Sequence, residues 1–280
     1  MLALAAIEMS TSPFTPSPFF PGQPPSAARR HGFRFVASGV HTSRTIMLAE
    51  LSAVLDATPP SHPREAYSES IVGDNALGKA TAANRRKSRR YLAELYSLDP
   101  EVPAFALLRR LWPLDQTSRP RLALLLALAR DPLLLAGAGA ILPLATGEEL
   151  QRDRLRAALG AAAGERLSPA TLEKVARNVA SSFTQSGHLT GRTFKRRALV
   201  TPTPVAVAYA LSLATAAGYL GRETITSGWV RALDASPLQA QELAIEAKRL
   251  GLIELRIAGG VFDLGFTPIS PPTGTRYGRH

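Results

Sequence analysis

Five times along this chain a helix-capping residue stands one or two positions before a proline: Ser118-Arg119-Pro120, Asp131-Pro132, Ser168-Pro169, Thr203-Pro204 and Ser236-Pro237. The side-chain oxygen of Ser, Thr or Asp accepts a first-turn amide that has no partner inside a helix. Proline fits the first turn because its missing N–H would have gone unpaired there. Each such site therefore starts a helix, and the spacing leaves room for one or two helices before the next start. This punctuation makes the chain mostly α.

The apolar run Leu122–Leu144 tests that reading. Arg130, Asp131 and Pro132 cut it into two pieces, each shorter than the roughly 20 apolar residues a membrane-spanning helix needs. Two buried helices are predicted instead, and no membrane association. Elsewhere the apolar residues recur at three- and four-residue steps: Tyr91, Leu92, Leu95 and Leu98 in the segment 81–98, and Leu172, Val175, Ala176, Val179, Ala180 and Phe183 behind Ser168-Pro169. Shorter helices are expected from Pro103 to Trp112 and from Gly147 to Leu159.

Residues 201–268 change style. Helices are expected over 204–217, 224–233 and 237–250, the last closed by Gly251 in the left-handed position. Strands 252–257 and 261–266 follow, joined by Ala258-Gly259-Gly260. Three helices and a hairpin in that order suggest a winged helix-turn-helix-like module with a short β-hairpin. It would follow a helical basic domain over 63–200 and precede a flexible tail at 269–280. Residues 1–62 read as a disordered extension, because Pro13, Pro16, Pro18, Pro21, Pro24 and Pro25 remove backbone donors and exclude ordinary helix. A short helix fits 45–56, and Met47 is a candidate start of the chain proper.

Charge bounds the function. Lys plus Arg is 33 against 22 Asp plus Glu, a net charge of +11, which favours polyanionic partners through release of their counterions. With no cysteine, disulfides, thiol catalysis and Cys-containing zinc sites are excluded. No signal peptide is visible, so a cytoplasmic protein is expected. The histidines are His31, His41, His62, His188 and His280. None pairs at ligand spacing, and His188 reads as an isolated loop residue. The run Gly73–Ala80 approaches a P-loop, but Ala80 stands where a magnesium-binding hydroxyl belongs and no strand precedes it. A helix start with Asp74 or Asn75 near the cap is the plainer reading. Gly137-Ala138-Gly139 reads as close helix packing, not a dinucleotide loop. No enzyme, cofactor, metal or small-molecule substrate is expected.

Two basic runs remain. Lys79, Arg85, Arg86, Lys87, Arg89 and Arg90 fall within twelve residues that contain no acid. At 100° per residue, Lys79, Arg86 and Arg90 form a stripe opposite Tyr91, Leu92 and Leu95, flanked by Lys87 and Arg89. Arg192, Lys195, Arg196 and Arg197 follow the polar segment 186–191. Such groups, beside Ser, Thr and backbone amides, suit phosphate contacts or a linker. By contrast the helix 237–250, the recognition helix of a winged fold, balances Glu242 and Glu246 against Lys248 and Arg249. Only Gln239 and Gln241 are plausible base readers there.

The run Asn75-Ala76-Leu77-Gly78-Lys79-Ala80-Thr81, the arginine-rich helix after it and Tyr91-Leu92-Ala93-Glu94-Leu95-Tyr96 resemble the opening of the BrxA family. Leu128–Leu133 and Ser181–Leu189 match it in style, and the likeness runs from about residue 67 to 266. That family comprises small helical subunits of bacterial BREX phage-defence systems. The resemblance implies a winged-helix-containing, non-enzymatic protein that binds double-stranded DNA, acting beside a methyltransferase and other defence proteins. It places Gly78-Lys79 in the opening motif and leaves the proline-rich extension without a counterpart. An interaction scaffold in the same complex, without direct DNA binding, is the alternative.

Overall fold

The computed structural model describes residues 17–35, 39–258 and 261–266. Among them the chain forms thirteen α-helices and two two-stranded sheets. The predicted starts hold. Asp131, Ser168, Thr203 and Ser236 each accept a first-turn amide, opening α7 (Pro132–Ile141), α9 (Pro169–Gln185), α10 (Pro204–Ala216) and α13 (Pro237–Arg249). Ser118 precedes α6 (Arg119–Arg130) but its hydroxyl donates to Asp115 instead of capping. Replacing Ser168 by alanine is expected to cost about 1 kcal/mol in a urea unfolding titration, because the Thr171 amide loses its acceptor.

The apolar stretch folds back at Asp131. There α6 and α7 meet at a bend of 118°, and eight consecutive residues of α6, Leu122 to Ala129, are buried. No single helix among the described residues is long and apolar enough to cross a membrane. Gly137 lets α7 approach α9, for a β-carbon there would stand 2.4 Å from the Val179 methyl. The small-residue reading of that pair is thus correct at Gly137.

The remaining helices pack on α6, on α10 or on their neighbours in the chain. They are α2 (Leu48–Ala57), α3 (Arg64–Val72), α4 (Ala82–Tyr96), α5 (Pro103–Leu111), α8 (Arg152–Ala163), α11 (Glu223–Thr226) and α12 (Gly228–Arg231). Ten consecutive residues of α10 are buried. It packs on α5 and α6 as well as on α12 and α13, so residues 201–266 share one core with the helices before them. Strands β3 (Glu254–Ala258) and β4 (Val261–Gly265) pair antiparallel, Ala258 opposite Val261. The expected glycine turn between them lies outside the described residues, as do 1–16 and the tail from 267.

Two expectations need correcting. The first is the disordered extension. Residues 17–35 carry the helix α1 (Ser26–His31), and Phe19, Phe20 and Phe33 sit edge-on around the buried Trp229 ring at 5.0, 6.0 and 5.3 Å. The Trp229 indole donates to the Phe19 carbonyl, and the Gly228 amide to the Pro18 carbonyl. A strap without regular ladders can pack when aromatic side chains supply the buried area and a few amides find partners. Residues upstream of Met47 are therefore part of the core. The strap also explains why the helix expected over 224–233 is broken. Pro18 presses on Gly228, where a β-carbon would meet its carbonyl oxygen at 2.6 Å, and Ser227 is extended and caps a new turn. An apolar cavity of about 880 Å³ lies between the strap and α7–α8, with Phe35, Leu135, Arg29 and Arg231 in its lining.

The second concerns Gly147–Leu159. The helix begins only at Arg152, because residues 147–150 pair with Lys195 and Arg197 through backbone hydrogen bonds. Strands β1 (Leu189–Thr190) and β2 (Arg196–Arg197) continue this small sheet. The segment 186–197 is thus held in place by a ladder and is no loose linker.

Candidate nucleic-acid interface

Helix α4 is capped by Thr81, whose hydroxyl accepts the Asn84 amide. The preceding Gly73–Ala80 run is a loop closing α3, with Asn75 and Gly78 at positive φ and the Asn75 side chain accepting the Lys79 amide. It is not a helix start, because α4 begins only at Ala82. Lys79 is tied to Glu50 at 3.1 Å, and Arg85 donates to the Val72 carbonyl at 2.9 Å, closing α3. Both predicted contacts therefore have structural partners.

The rest of the stripe carries no ion pair among the described residues. Arg86, Lys87 and Arg90 are exposed and Arg89 is half-buried, and none has a carboxylate within ion-pair reach among the described residues. The opposite face buries Ser88, Tyr91, Leu92, Leu95 and Tyr96, which fixes the direction of the basic face. Arg90 lies over the Tyr91 ring at 5.0 Å, and Arg44 covers the same ring at 5.3 Å. The neighbouring Ser43 hydroxyl holds the Tyr91 phenol below its ordinary pKa, burial opposes it, and Arg90 and Lys87 add to the lowering. Arg44 was missed from sequence because it lies in the segment read as disordered. Arg44, Arg86, Lys87, Arg89 and Arg90 form the set of cations the structure leaves unneutralised around α4.

The second run divides. Arg192 is exposed and unpaired. Lys195 donates to Thr184 Oγ1 at 2.8 Å, and Arg196 pairs with Glu149 at 3.3 Å. Arg197 is a correction: it is buried, ion-paired with Asp234, and bonded to the Ala198 carbonyl. Alternation along β2 turns it inward while Arg196 faces out. It cannot meet a phosphate. On α13, Gln239 is exposed, but Gln241 accepts from Arg222 at 3.2 Å. Leu238 and Ile245 project from the same helix into solvent.

Two buried histidines escaped the sequence reading. His41, expected in the tail, is fully buried. Its backbone N–H and Nδ1 reach Asp131 Oδ2 at 3.1 and 2.8 Å, and Nε2 lies 2.8 Å from Ser182 Oγ. The order Asp–His–Ser is that of a nucleophile relay. Here, however, Ser182 is fully buried, donates to the Asn178 carbonyl and accepts the Ile46 amide. No substrate reaches that oxygen. The relay clamps residues 39–46 onto α9. No group of three His, Asp or Glu positioned to hold a metal occurs among the described residues.

His188 is likewise buried, between Ser186 Oγ and the Ala232 carbonyl, each at 2.8 Å. Burial pushes its pKa down to about 4, with Ala232 and Asp234 opposing and Arg197 and Arg121 adding to the drop. It is neutral in the fold and titrates near 6.5 when unfolded, so its contribution is present above about pH 6.5 and lost as pH falls toward 4. A loss of about 2 kcal/mol between pH 7 and pH 5 is expected from urea unfolding, and His188→Gln should flatten it.

Comparison with known protein-family models gives no match, and no curated protein matches the sequence.

Proposed function

We propose that this protein is a nucleic-acid-binding accessory subunit that grips duplex DNA by its phosphates, of the kind found in BREX-type defence systems. The observation that carries the reading is the set of free cations around α4. Most other predicted cations are held by carboxylates, carbonyls or hydroxyls, whereas Arg86, Lys87, Arg89 and Arg90, joined by Arg44, have no carboxylate partner among the described residues. Arginine forks on one helix face follow a phosphate backbone well and carry little base information. The order of α10 to α13 and β3–β4 supports a winged-helix-like module, though α13 has few groups suited to base edges.

The test is a fluorescence-anisotropy titration of the full chain with a duplex at several salt concentrations. Binding should weaken with a log–log slope of about −0.9 per phosphate contacted. Salt-independent or undetectable binding rejects the proposal. A second reading, a protein-docking scaffold, is favoured by Leu238 and Ile245, exposed on α13 beside Glu242. Capture of partner proteins that survives nuclease treatment, without any duplex binding, would select it.

A further inference from the structure

Away from α4, the N-terminus of α8, the middle of α9 and the β1–β2 loop enclose a notch of about 290 Å³. That volume lies near the lower end of small-molecule sites, about 300–1,000 Å³. Its polar lining is Arg152, Arg177, Arg192, Thr193, Lys195 and Glu173. The notch thus holds four cations and one carboxylate, and the carboxylate is engaged elsewhere. Glu173 pairs with Arg156 at 3.4 Å, and the same Arg156 takes the nearby Asp153 at 2.9 Å. Arg196 takes Glu149. The local acids are therefore held by arginines outside the notch, while none of the four inside has a carboxylate partner among the described residues. Lys195 is positioned by Thr184 and by the Gly191 carbonyl at 3.4 Å. The first turn of α8 has no side-chain cap, which leaves amide donors beside Arg152.

Four cations without a carboxylate partner lining one concave site make a receptor for a compact dianion. We propose that this notch binds a phosphate ester, either a free nucleotide or the terminal phosphate of a nucleic acid strand. The guanidinium groups supply paired donors to the phosphate oxygens, Lys195 supplies a point charge, and Thr193 offers a hydroxyl. The apolar floor, with Leu155 and Ala180, accommodates the organic remainder. This site is separate from the α4 face and stands if the α4 reading fails.

The experiment is calorimetric titration of the full chain with adenosine monophosphate, a 5′-phosphorylated trinucleotide and its 5′-hydroxyl counterpart. Phosphate-bearing probes are expected to bind and the hydroxyl form to bind at least tenfold more weakly. Equal affinity for the monophosphate and the phosphorylated trinucleotide assigns a free nucleotide; binding of the trinucleotide alone assigns a strand end. The double substitution R177Q/R192Q removes two exposed, unpaired side chains and should leave the thermal midpoint unchanged. It should weaken the phosphate-bearing probes at least tenfold. R86Q/R90Q on α4 should leave these affinities as they were. No binding of any phosphate probe, equal binding of the hydroxyl form, or unaltered affinity in R177Q/R192Q overturns the proposal.

Discussion

Asp131→Ala lowers the unfolding free energy by about 3–5 kcal/mol, read as a drop in the urea midpoint, because one carboxylate serves four donors. Its Oδ1 accepts the Leu133 and Leu134 amides at 3.0 and 3.2 Å, starting α7. Its Oδ2 accepts the His41 amide and Nδ1–H. Truncation leaves all four without acceptors in a place where Asp131 is only 1% exposed and water does not substitute. Gly39 belongs to the same device, since a β-carbon there would collide with the carboxylate at 2.1 Å. Asp131→Asn keeps an acceptor oxygen for the α7 amides and should lose markedly less. The pH behaviour supplies a second check. Burial alone would raise this carboxyl's pKa, but His41 and the Leu134 amide overcome it and hold it below the ordinary carboxylate value. Its contribution is therefore complete above about pH 4 and disappears as pH falls through the lowered value. In D131A that acid loss should be missing, while the His188-dependent loss at higher pH persists.

The triple substitution R86Q/R89Q/R90Q is expected to weaken duplex binding by about a hundredfold at 0.1 M salt and to reduce the salt slope by about 2.7. The slope is the sharper readout. Each arginine that neutralises one phosphate releases about 0.9 counterion, so three removed contacts change the slope by a fixed amount. A variant weakened merely by unfolding would lose amplitude and keep its slope. Stability should change little, for none of the three has a carboxylate partner and the buried face of α4 is made by other residues. R197Q forms the contrast. It strands Asp234 and should unfold the protein more easily without altering the slope of the molecules that remain folded.

What the sequence made legible is local. A hydroxyl or carboxylate next to a proline acts on amides within one turn, so Ser168, Thr203 and Ser236 announced their helices without reference to anything distant. The direction of α4 was also readable, because Tyr91, Leu92 and Leu95 repeat at helical spacing and put Arg86 and Arg90 opposite. What stayed hidden depends on partners far along the chain. Arg197 looked like its exposed neighbour Arg196 because Asp234, which holds it, is 37 residues away. His41 looked idle because Ser182 lies 141 residues on. The prolines of the strap forbid regular ladders, but its phenylalanines supply the buried area that holds it. Five of the ten phenylalanines fall before residue 36, and chains that stay unfolded are poor in aromatic residues. The notch at Arg152 and Arg177 was invisible for the same reason as Arg197: Glu173, the acid in its lining, is drawn off by Arg156 on a different helix.

The ring cluster around Trp229 has a consequence for how the protein is made. Phe19 leaves the ribosome 210 residues ahead of the tryptophan it must enclose, so the strap can take its final place only after all of the intervening chain has emerged. Closure of so long a loop is entropically late and slow. In a Trp112→Phe variant, which leaves Trp229 as the single indole, fluorescence during refolding should therefore report a late event, the fastening of the strap over α12.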